Sequence, residues 1–264
     1  MPKFSANLSM LFTELPFLDR FEAAAQAGFR GVEYLFPYDF PADEIVQRLK
    51  RHGLVQVLHN LPAGDWAGGE RGIGCLPGRE AEFRAGVDEA IDYAKALGCP
   101  QVNCLAGVAP RGTDPQLLRS VFVENLRYDA ARLEREGIKL LIEAINTRDI
   151  PGFFLTTTRQ AREVLELVGS DNLYVQYDAY HMQVMEGDLA HTIEANLDRI
   201  AHIQIADNPG RHEPRTGEIN FDFLFRHLDA IGYPGWVGCE YKPAGATREG
   251  LGWMAPVQQQ RAVA

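Results

Sequence analysis

The sequence has little of what a nucleic-acid-binding or membrane protein needs. It contains no run of five or more basic residues, and its net charge is -10 with a pI near 5.2. This acidic balance is the opposite of the clustered Lys and Arg side chains that bind phosphate backbones. No segment approaches the roughly 18 consecutive apolar residues that cross a bilayer. We therefore expect neither a nucleic-acid partner nor a membrane partner.

Cysteine is also scarce, and its spacing does not fit a zinc ribbon or a C-x-x-C redox motif. The four cysteines are Cys75, Cys99, Cys104 and Cys239. We interpret them as reduced, mostly buried thiols of a cytoplasmic protein. The apolar stretch before Glu14 is too short for a signal peptide, which supports the same location.

The glycine-rich fingerprints of nucleotide-binding folds are missing. No G-x-G-x-x-G motif follows the first apolar run, and no G-x-x-x-x-G-K-[ST] motif occurs. These absences disfavour a doubly wound nucleotide-binding sheet. We expect no nicotinamide, flavin or pyridoxal phosphate cofactor, and no Ser-His-Asp or Cys-His arrangement stands out either.

A regular alternation of strand and helix patterns is what the sequence does contain. Eight short β-type runs begin at Phe4, Gly31, Leu54, Gln101, Lys139, Leu173, Ile200 and Trp236. Between most of them lie segments with apolar residues at helical spacing, at 17–27, 43–52, 80–97, 116–136, 159–168 and 221–231. In 264 residues this alternation predicts an α/β protein, a (β/α)8 TIM barrel. We expect residues 1–264 to form a single domain.

Two long connections follow predicted strands, on the face where barrel enzymes place their chemistry. The first, 60–78, is Gly-rich, and the second, 206–220, is polar. Each is either a disordered surface loop, or a lid or substrate loop, and the aromatic and charged residues within them favour a lid or substrate loop. The aromatic segment 34–38 is either a pocket wall or an interface patch. The sequence therefore leaves a homo-oligomer open.

Four consecutive predicted strands end in an oxygen-bearing side chain, namely Glu143, Asp178, Gln204 and Glu240. The carboxyl ends of barrel strands converge on one mouth. Three carboxylates this close repel one another unless a cation neutralises them. Oxygen donors favour a hard divalent ion such as Mg²⁺ or Mn²⁺, so the pattern predicts a metal site. The alternative is that each carboxylate is solvated or paired with a nearby basic residue.

Two residues are candidates to bind substrate oxygens. His181 lies three positions after Asp178, and an imidazole beside a carboxylate-rich metal site can hold a substrate oxygen. Arg211, in the loop 206–220, has a planar guanidinium that suits a hydroxyl or a carboxylate. The alternatives are a packing histidine and a solvated arginine.

Several further residues have roles that the sequence leaves open. Lys242 and Arg79 are additional candidate cations for a substrate carboxylate. His59 and Glu33 end the third and second predicted strands, and each either lines the pocket or has a structural role.

The sequence also contains motifs that resemble a known family. They are LPGRE, LIEAINTRDIPGFFL, QYDAYHMQ, HIQIADNPGRHEP, GEINF and GCEYKP. Together they resemble the bacterial hydroxypyruvate isomerases, which belong to the xylose-isomerase-like barrels together with ketose epimerases and inosose dehydratases. The resemblance extends over about residues 4–253.

This resemblance implies an isomerase that interconverts hydroxypyruvate and tartronate semialdehyde, so that the partner would be a small 2-oxo acid. It implies a divalent metal site at the residues matching Glu143, Asp178, Gln204 and Glu240. Those matching Glu143 and Glu240 would also donate and accept the proton. His181 and Arg211 match the family's ligands for substrate oxygens.

Other functions of the same barrel stay open at this point. The nearest is a 2-oxotetronate isomerase, followed by a ketose epimerase, although such epimerases commonly have His where this chain has Gln204. An inosose-type dehydratase would use the same metal and carboxylates. A DNA-repair endonuclease is disfavoured by the acidic charge, and a non-catalytic binding role is a further alternative.

Overall fold

Eight parallel strands close into a barrel in their order along the chain. This arrangement comes from a computed structural model, which describes residues 2–254. The strands are β1 (Lys3–Asn7), β2 (Gly31–Glu33), β3 (Val55–Asn60), β4 (Gln101–Cys104), β5 (Lys139–Glu143), β6 (Leu173–Asp178), β7 (Ile200–Ile205) and β8 (Trp236–Cys239). The predicted α/β class and (β/α)8 architecture are confirmed, and every predicted strand overlaps an observed one.

Helices connect successive strands around the outside of the barrel. They are α1 (Arg20–Gln26), α2 (Ala42–His52), α3 (Glu80–Leu97), α4 (Pro115–Glu134), α5 (Thr158–Val168), α6 (Ala179–Met185), α7 (Leu189–Ala195) and α8 (Phe221–Ala230). Short 3-10 helices cover Phe17–Asp19 and Glu249–Met254. Within residues 2–254, none of these helices combines the length and the apolar character that crossing a bilayer requires.

Local signals in the sequence explain where several helices begin and end. Asp114 accepts a hydrogen bond from the backbone N–H of Gln116 and caps α4, with Pro115 as the first helical residue. The helix α2 ends at Gly53, whose φ of 63° is the left-handed conformation that glycine adopts without a Cβ clash.

Apolar side chains fill the layer between the strands and the helices. Phe21, Phe122 and Phe221 are among the largest fully buried side chains, and all three project from the helical layer. The four cysteines also lie in buried positions and are free, as the sequence predicts. This layer holds the helices on the barrel and fixes the strand ends relative to one another.

The interior of the barrel, by contrast, is polar towards its carboxyl-terminal mouth. Register partners on neighbouring strands point to the same face, and Glu143 pairs with Gln176 while Asp178 pairs with Gln204. The polar residues linked by hydrogen bonds here include Ser5, Asn7, Glu33, Asn60, Asn103, Gln176 and Gln204. Barrel interiors are usually filled by branched apolar side chains. The polar residues at this mouth are therefore candidates for a functional site.

Candidate metal and substrate site

The four predicted strand-end residues lie together at the mouth of the barrel. Glu143 and Asp178 are the last residues of β5 and β6, and Gln204 is the next to last of β7. Glu240 directly follows β8. All four are buried, with at most 5% of any of them exposed. Carboxylates that are buried together are unstable as anions unless a cation neutralises them or they take up a proton.

The atoms that face one another belong to Glu143, Asp178, His181, Arg211 and Glu240. The Nε2 atom of His181 lies 3.9 Å from Glu143 Oε1 and 3.7 Å from Asp178 Oδ2. The Nη2 atom of Arg211 lies 3.5 Å from Glu240 Oε1 and 4.0 Å from Asp178 Oδ2. These separations exceed hydrogen-bond lengths, so the groups surround a small space rather than closing it.

Burial and mutual repulsion raise the proton affinity of the glutamates. Burial raises the pKa of Glu240 to about 8, against the opposing charge of Arg211, and the charges of Asp178 and Glu33 add to the increase. Burial also raises the pKa of Glu143 well above its ordinary range, as do the charges of Glu240 and Asp178. A carboxyl group with a raised pKa can hold and release a proton near neutral pH.

The same donors fit a hard divalent ion. Asp178 Oδ1 accepts hydrogen bonds from the backbone N–H groups of Tyr180 and His181 and caps α6. Its other oxygen, Oδ2, is buried and has no hydrogen-bond partner among the described residues. Ligand atoms of Glu143, Asp178 and His181 lie within 4.8 Å of one another. A buried cluster of carboxylate oxygens with one unpartnered atom is the donor set that Mg²⁺ and Mn²⁺ prefer.

Gln204 is the register partner of Asp178 on the neighbouring strand, and its amide has a fixed orientation. Its Nε2 donates to Glu33 Oε1 at 2.9 Å, and its Oε1 accepts from Gln176 Nε2 at 2.6 Å. Because a carboxylate can only accept, Gln204 must direct its NH₂ group towards Glu33. The amide oxygen keeps a second lone pair that can bind an ion.

Glu33 lies in a buried hydrogen-bonded group next to Gln204, which favours the structural alternative for its role. It is completely buried and accepts hydrogen bonds from Ser5 Oγ at 2.7 Å, Asn7 Nδ2 at 3.2 Å and Gln204 Nε2. His202 Nε2 lies 2.9 Å from its second oxygen. Burial alone would raise the pKa of Glu33, but the charge of His202 and these hydrogen bonds outweigh it and hold the pKa below its ordinary value. Sequence reasoning missed this group, although polar residues at alternate positions of β1 and β7 are the signal that could have found it.

Arg211 is held in the pocket by its neighbours. Its side chain is 16% exposed, and its Nη1 lies 3.5 Å from Asp149 Oδ2. The guanidinium lies 5.2 Å from the centre of the Tyr180 ring. The backbone N–H of Lys242 donates to the Arg211 carbonyl at 2.8 Å, whereas the Lys242 side chain is exposed. The structure therefore brings the Arg211 side chain, and only the main chain of Lys242, to this region.

The loop that carries Arg211 is ordered around one carboxylate. Asp207 accepts hydrogen bonds from the backbone N–H groups of Asn208, Arg215, Gly217 and Ile219, at 2.9 to 3.1 Å. Four donors to one buried side chain fold the segment into a compact unit. These contacts favour an ordered lid or substrate loop for 206–220 over a disordered surface loop.

The remaining candidates are engaged elsewhere. Arg79 forms ion pairs with Glu70 at 2.7 Å and Glu82 at 2.5 Å. The ring of His59 is completely buried and packs edge-on against Tyr38, and burial lowers its pKa to about 4. These contacts favour a structural role for both Arg79 and His59 over a role in binding substrate.

The aromatic segment 34–38 lies mainly inside the protein. Tyr34 is buried against Phe17 and Phe21. Phe36 packs edge-on against Trp66 of the loop 60–78, with ring centroids 4.9 Å apart. Because both segments follow the carboxyl ends of strands, this pair is a wall on the mouth side of the barrel.

Comparison with known proteins identifies the family of this chain. The model of the xylose isomerase-like TIM barrel family matches residues 21–257. The chain belongs to this family. Among its relatives, the hydroxypyruvate isomerase of Escherichia coli is 58% identical, over 97% of this chain and 99% of its own length. The 2-oxo-tetronate isomerase of Cupriavidus necator is 48% identical, over 97% of this chain and 98% of its own length.

Solved structures of other proteins agree with the fold. A structure described as an AP endonuclease, family 2, from Brucella melitensis superposes with a TM-score of 0.95 at 50% identity, covering 97% of this chain and 99% of that one. The 3-keto-D-glucoside 4-epimerase of E. coli gives a TM-score of 0.82 at 20% identity, over 97% of this chain and all of its own. The second likeness shows the fold alone.

The predicted resemblance to hydroxypyruvate isomerases is thus confirmed. The protein is an isomerase of the xylose isomerase-like TIM barrel family, as the sequence predicts. The carboxylates and histidine at the barrel mouth form a group that could hold a metal ion.

Proposed function

We propose that this protein interconverts hydroxypyruvate and tartronate semialdehyde (2-hydroxy-3-oxopropanoate). The observation that carries the proposal is the buried group formed by Glu143, Asp178 and Glu240 beside Arg211 and His181. It occurs in a chain that is 58% identical to a hydroxypyruvate isomerase along nearly its whole length.

The reaction moves a carbonyl group between adjacent carbons. One of the two glutamates, Glu143 or Glu240, removes a proton from C3 of hydroxypyruvate, which gives an enediolate. A carboxylate returns a proton to C2, while the hydroxyl proton moves from O3 to O2, so that atoms and charge balance. The raised pKa values of both glutamates suit groups that must alternate between acid and base.

The metal would be held by Glu143, Asp178, Gln204 and Glu240, and we propose Mg²⁺ or Mn²⁺ from their oxygen donors. When bound, the ion would supply positive charge that stabilises the enediolate oxygens.

The other residues of the pocket bind and orient the substrate. Arg211 is the cation we assign to the substrate carboxylate, because its guanidinium is almost buried and its Nε has no partner among the described residues. His181 would donate to a substrate oxygen. Lys242 stays a predicted substrate ligand, although its exposed side chain offers less support. The surrounding burial excludes water, which strengthens each of these interactions.

A 2-oxotetronate isomerase is the second candidate, and a specific observation favours it. Relatives with that name are 48% to 49% identical to this chain and match it nearly end to end. The chemistry at the metal would be the same, and only the pocket would differ. The endonuclease named for one similar structure is a weaker candidate, because the net charge of -10 opposes binding to DNA.

Proton NMR of the purified protein in D₂O tests the proposal. The chelator-treated protein is mixed with hydroxypyruvate, and the spectrum is followed before and after Mg²⁺ or Mn²⁺ is added. We expect metal-dependent formation of tartronate semialdehyde with deuterium at C2. Conversion of 2-oxotetronate but not of hydroxypyruvate would move the assignment to the second candidate, and no conversion of either would reject both substrates.

A further inference from the structure

The second ring nitrogen of His181 faces away from the site, towards Asn146. The Asn146 Nδ2 atom lies 2.6 Å from His181 Nδ1, and the Asn146 backbone nitrogen lies 3.4 Å from the same atom. Asn146 comes three residues after Glu143, in the segment that connects β5 to α5. No sequence motif indicates this contact, which depends on two different barrel loops.

The orientation of the Asn146 amide follows from its other partners. Its Oδ1 accepts hydrogen bonds from the backbone N–H groups of Arg148 at 3.0 Å and Asp149 at 2.8 Å. Backbone N–H groups can only donate, so the oxygen of the amide must face them. The NH₂ group therefore faces His181.

This orientation determines where the imidazole carries its proton. Since Nδ1 faces two N–H groups, it must accept, and the single proton of the neutral ring lies on Nε2. A doubly protonated ring would direct an Nδ1–H towards two other donors, which the geometry disfavours. The Nε2–H group then points at the space bounded by Glu143 and Asp178, with 3.9 and 3.7 Å to their oxygens.

We propose that Asn146 is a positioning residue that holds His181 as the Nε2–H tautomer, and thereby keeps it from binding the metal. A metal ligand needs a lone pair on the nitrogen, which this tautomer does not offer. Of the three side chains grouped around the possible ion, only the two carboxylates are ligands. The histidine instead directs a donor at an oxygen of the bound 2-oxo acid, a role that rests on the proposed function.

The substitution Asn146→Asp reverses the hydrogen bond with little change in shape. One carboxylate oxygen still accepts from the backbone of Arg148 and Asp149, while the other requires a donor on His181 Nδ1. The ring would change to the Nδ1–H tautomer and direct a lone pair at the site. Asn220→Asp is the matched control, because Asn220 caps α8 through its Oδ1, and aspartate caps equally well.

Long-range ¹H–¹⁵N NMR of the full chain reads the tautomer directly, with no substrate present. We expect Nε2–H for His181 in the wild type and in Asn220→Asp, and Nδ1–H in Asn146→Asp. An Nδ1–H or doubly protonated His181 in the wild type at neutral pH overturns the proposal. So does an unchanged tautomer in folded Asn146→Asp.

Calorimetric titration and kinetics give a second readout. Imidazole suits Zn²⁺ better than Mg²⁺, so Asn146→Asp should bind Zn²⁺ more tightly relative to Mg²⁺ than the wild type does. We expect kcat/KM to fall roughly 10- to 100-fold, as is usual for residues that orient a site. Unchanged metal preference together with unchanged kcat/KM would contradict the proposal. Lack of turnover by the wild type would reject the proposed function alone, since the tautomer is measured without substrate.

Discussion

At the scale of single residues, the site consists of carboxyl groups that are costly to bury. Glu143 and Glu240 have raised pKa values because water is excluded and like charges are close. Glu33 has a lowered pKa because His202 and three hydrogen-bond donors compensate its charge. These three buried carboxyl groups therefore differ in pKa because they differ in their partners.

Replacing Glu240 by Gln should abolish proton transfer and leave the fold intact. The amide keeps the shape of the side chain but cannot accept the proton, and general acid–base groups contribute about 10²- to 10⁴-fold to rate. Turnover of hydroxypyruvate by NMR and circular dichroism of the fold are the measurements. Glu44→Gln, the same change at an exposed position of α2, should retain full activity, and substantial activity of Glu240→Gln would remove Glu240 from the acid–base role.

Replacing Glu33 by Gln should destabilise the protein. The change leaves His202 Nε2 without its carboxylate partner in a fully buried position. Removing one partner of a buried polar contact in this way costs about 1–3 kcal/mol of unfolding free energy. Urea unfolding measures the loss against the wild type, and a loss no greater than that of Glu44→Gln would show that the pair is not structural.

At the scale of elements, α4 carries a buried carboxyl group without a hydrogen-bond partner in the part of the chain that the structure describes. Asp129 is completely buried, and neither of its oxygens has a hydrogen-bond partner among the described residues. Burial raises its pKa well above the ordinary value. The folded protein thus binds this proton more tightly than the unfolded chain, whose aspartates titrate near pH ~4.

This difference predicts how stability depends on pH. Between pH ~4 and the raised pKa, the unfolded state loses the Asp129 proton while the folded state keeps it, so stability falls as pH rises. An amide side chain does not titrate, so Asp129→Asn should reduce this fall. Urea unfolding at several pH values from 5 to 8 compares the slopes of the two proteins. Equal slopes would mean that Asp129 ionises in the folded protein as it does in the unfolded chain.

The strand β8 contains a glycine whose missing side chain makes room for Glu33. A Cβ atom on Gly238 would lie 2.3 and 2.4 Å from the Glu33 carboxylate oxygens. Gly238→Ala should therefore destabilise the protein by about 1–3 kcal/mol, the usual cost of overpacking. Gly252→Ala is the control, because a Cβ there meets no atom within 4 Å. Similar melting temperatures for the two variants would show that Glu33 moves aside freely.

The parts of the site that the sequence predicts are those set by repeating structure. Glu143, Asp178 and Glu240 could be placed together because each comes at the carboxyl end of an apolar strand, and parallel strands end at one mouth. The contact between Asn146 and His181 could not be predicted, because it joins two loops whose paths follow no periodic pattern. The helices α6 and α7 also escape prediction, since a break at 186–188 divides this segment into two pieces of seven residues each, with no continuous helical period.

At the scale of the whole molecule, metal binding should stabilise the fold. An ion that binds the native state but not the unfolded one adds about 2.7 kcal/mol at 100 times its Kd. The melting temperature of the chelator-treated protein should therefore rise with added Mg²⁺ or Mn²⁺. Asp178→Asn should lose this increase, because the amide retains the oxygen that caps α6 but not the charge. An equal increase in the variant would place the ion elsewhere.

Three properties of the whole chain stay predictions. We propose that residues 1–264 form one domain, although 1 and 255–264 lie outside the described residues. We also propose a cytoplasmic location and leave a homo-oligomer open. Sedimentation of the purified protein measures the oligomeric state.

The loop built around Asp207 has a consequence for the thermodynamics of substrate capture. Its four backbone hydrogen bonds hold Arg211 at the mouth before any substrate arrives. The loop loses little conformational entropy when the substrate binds, because it is already ordered in the folded protein. Association should therefore show a small entropic penalty, and its rate should follow diffusion of the substrate into the barrel mouth.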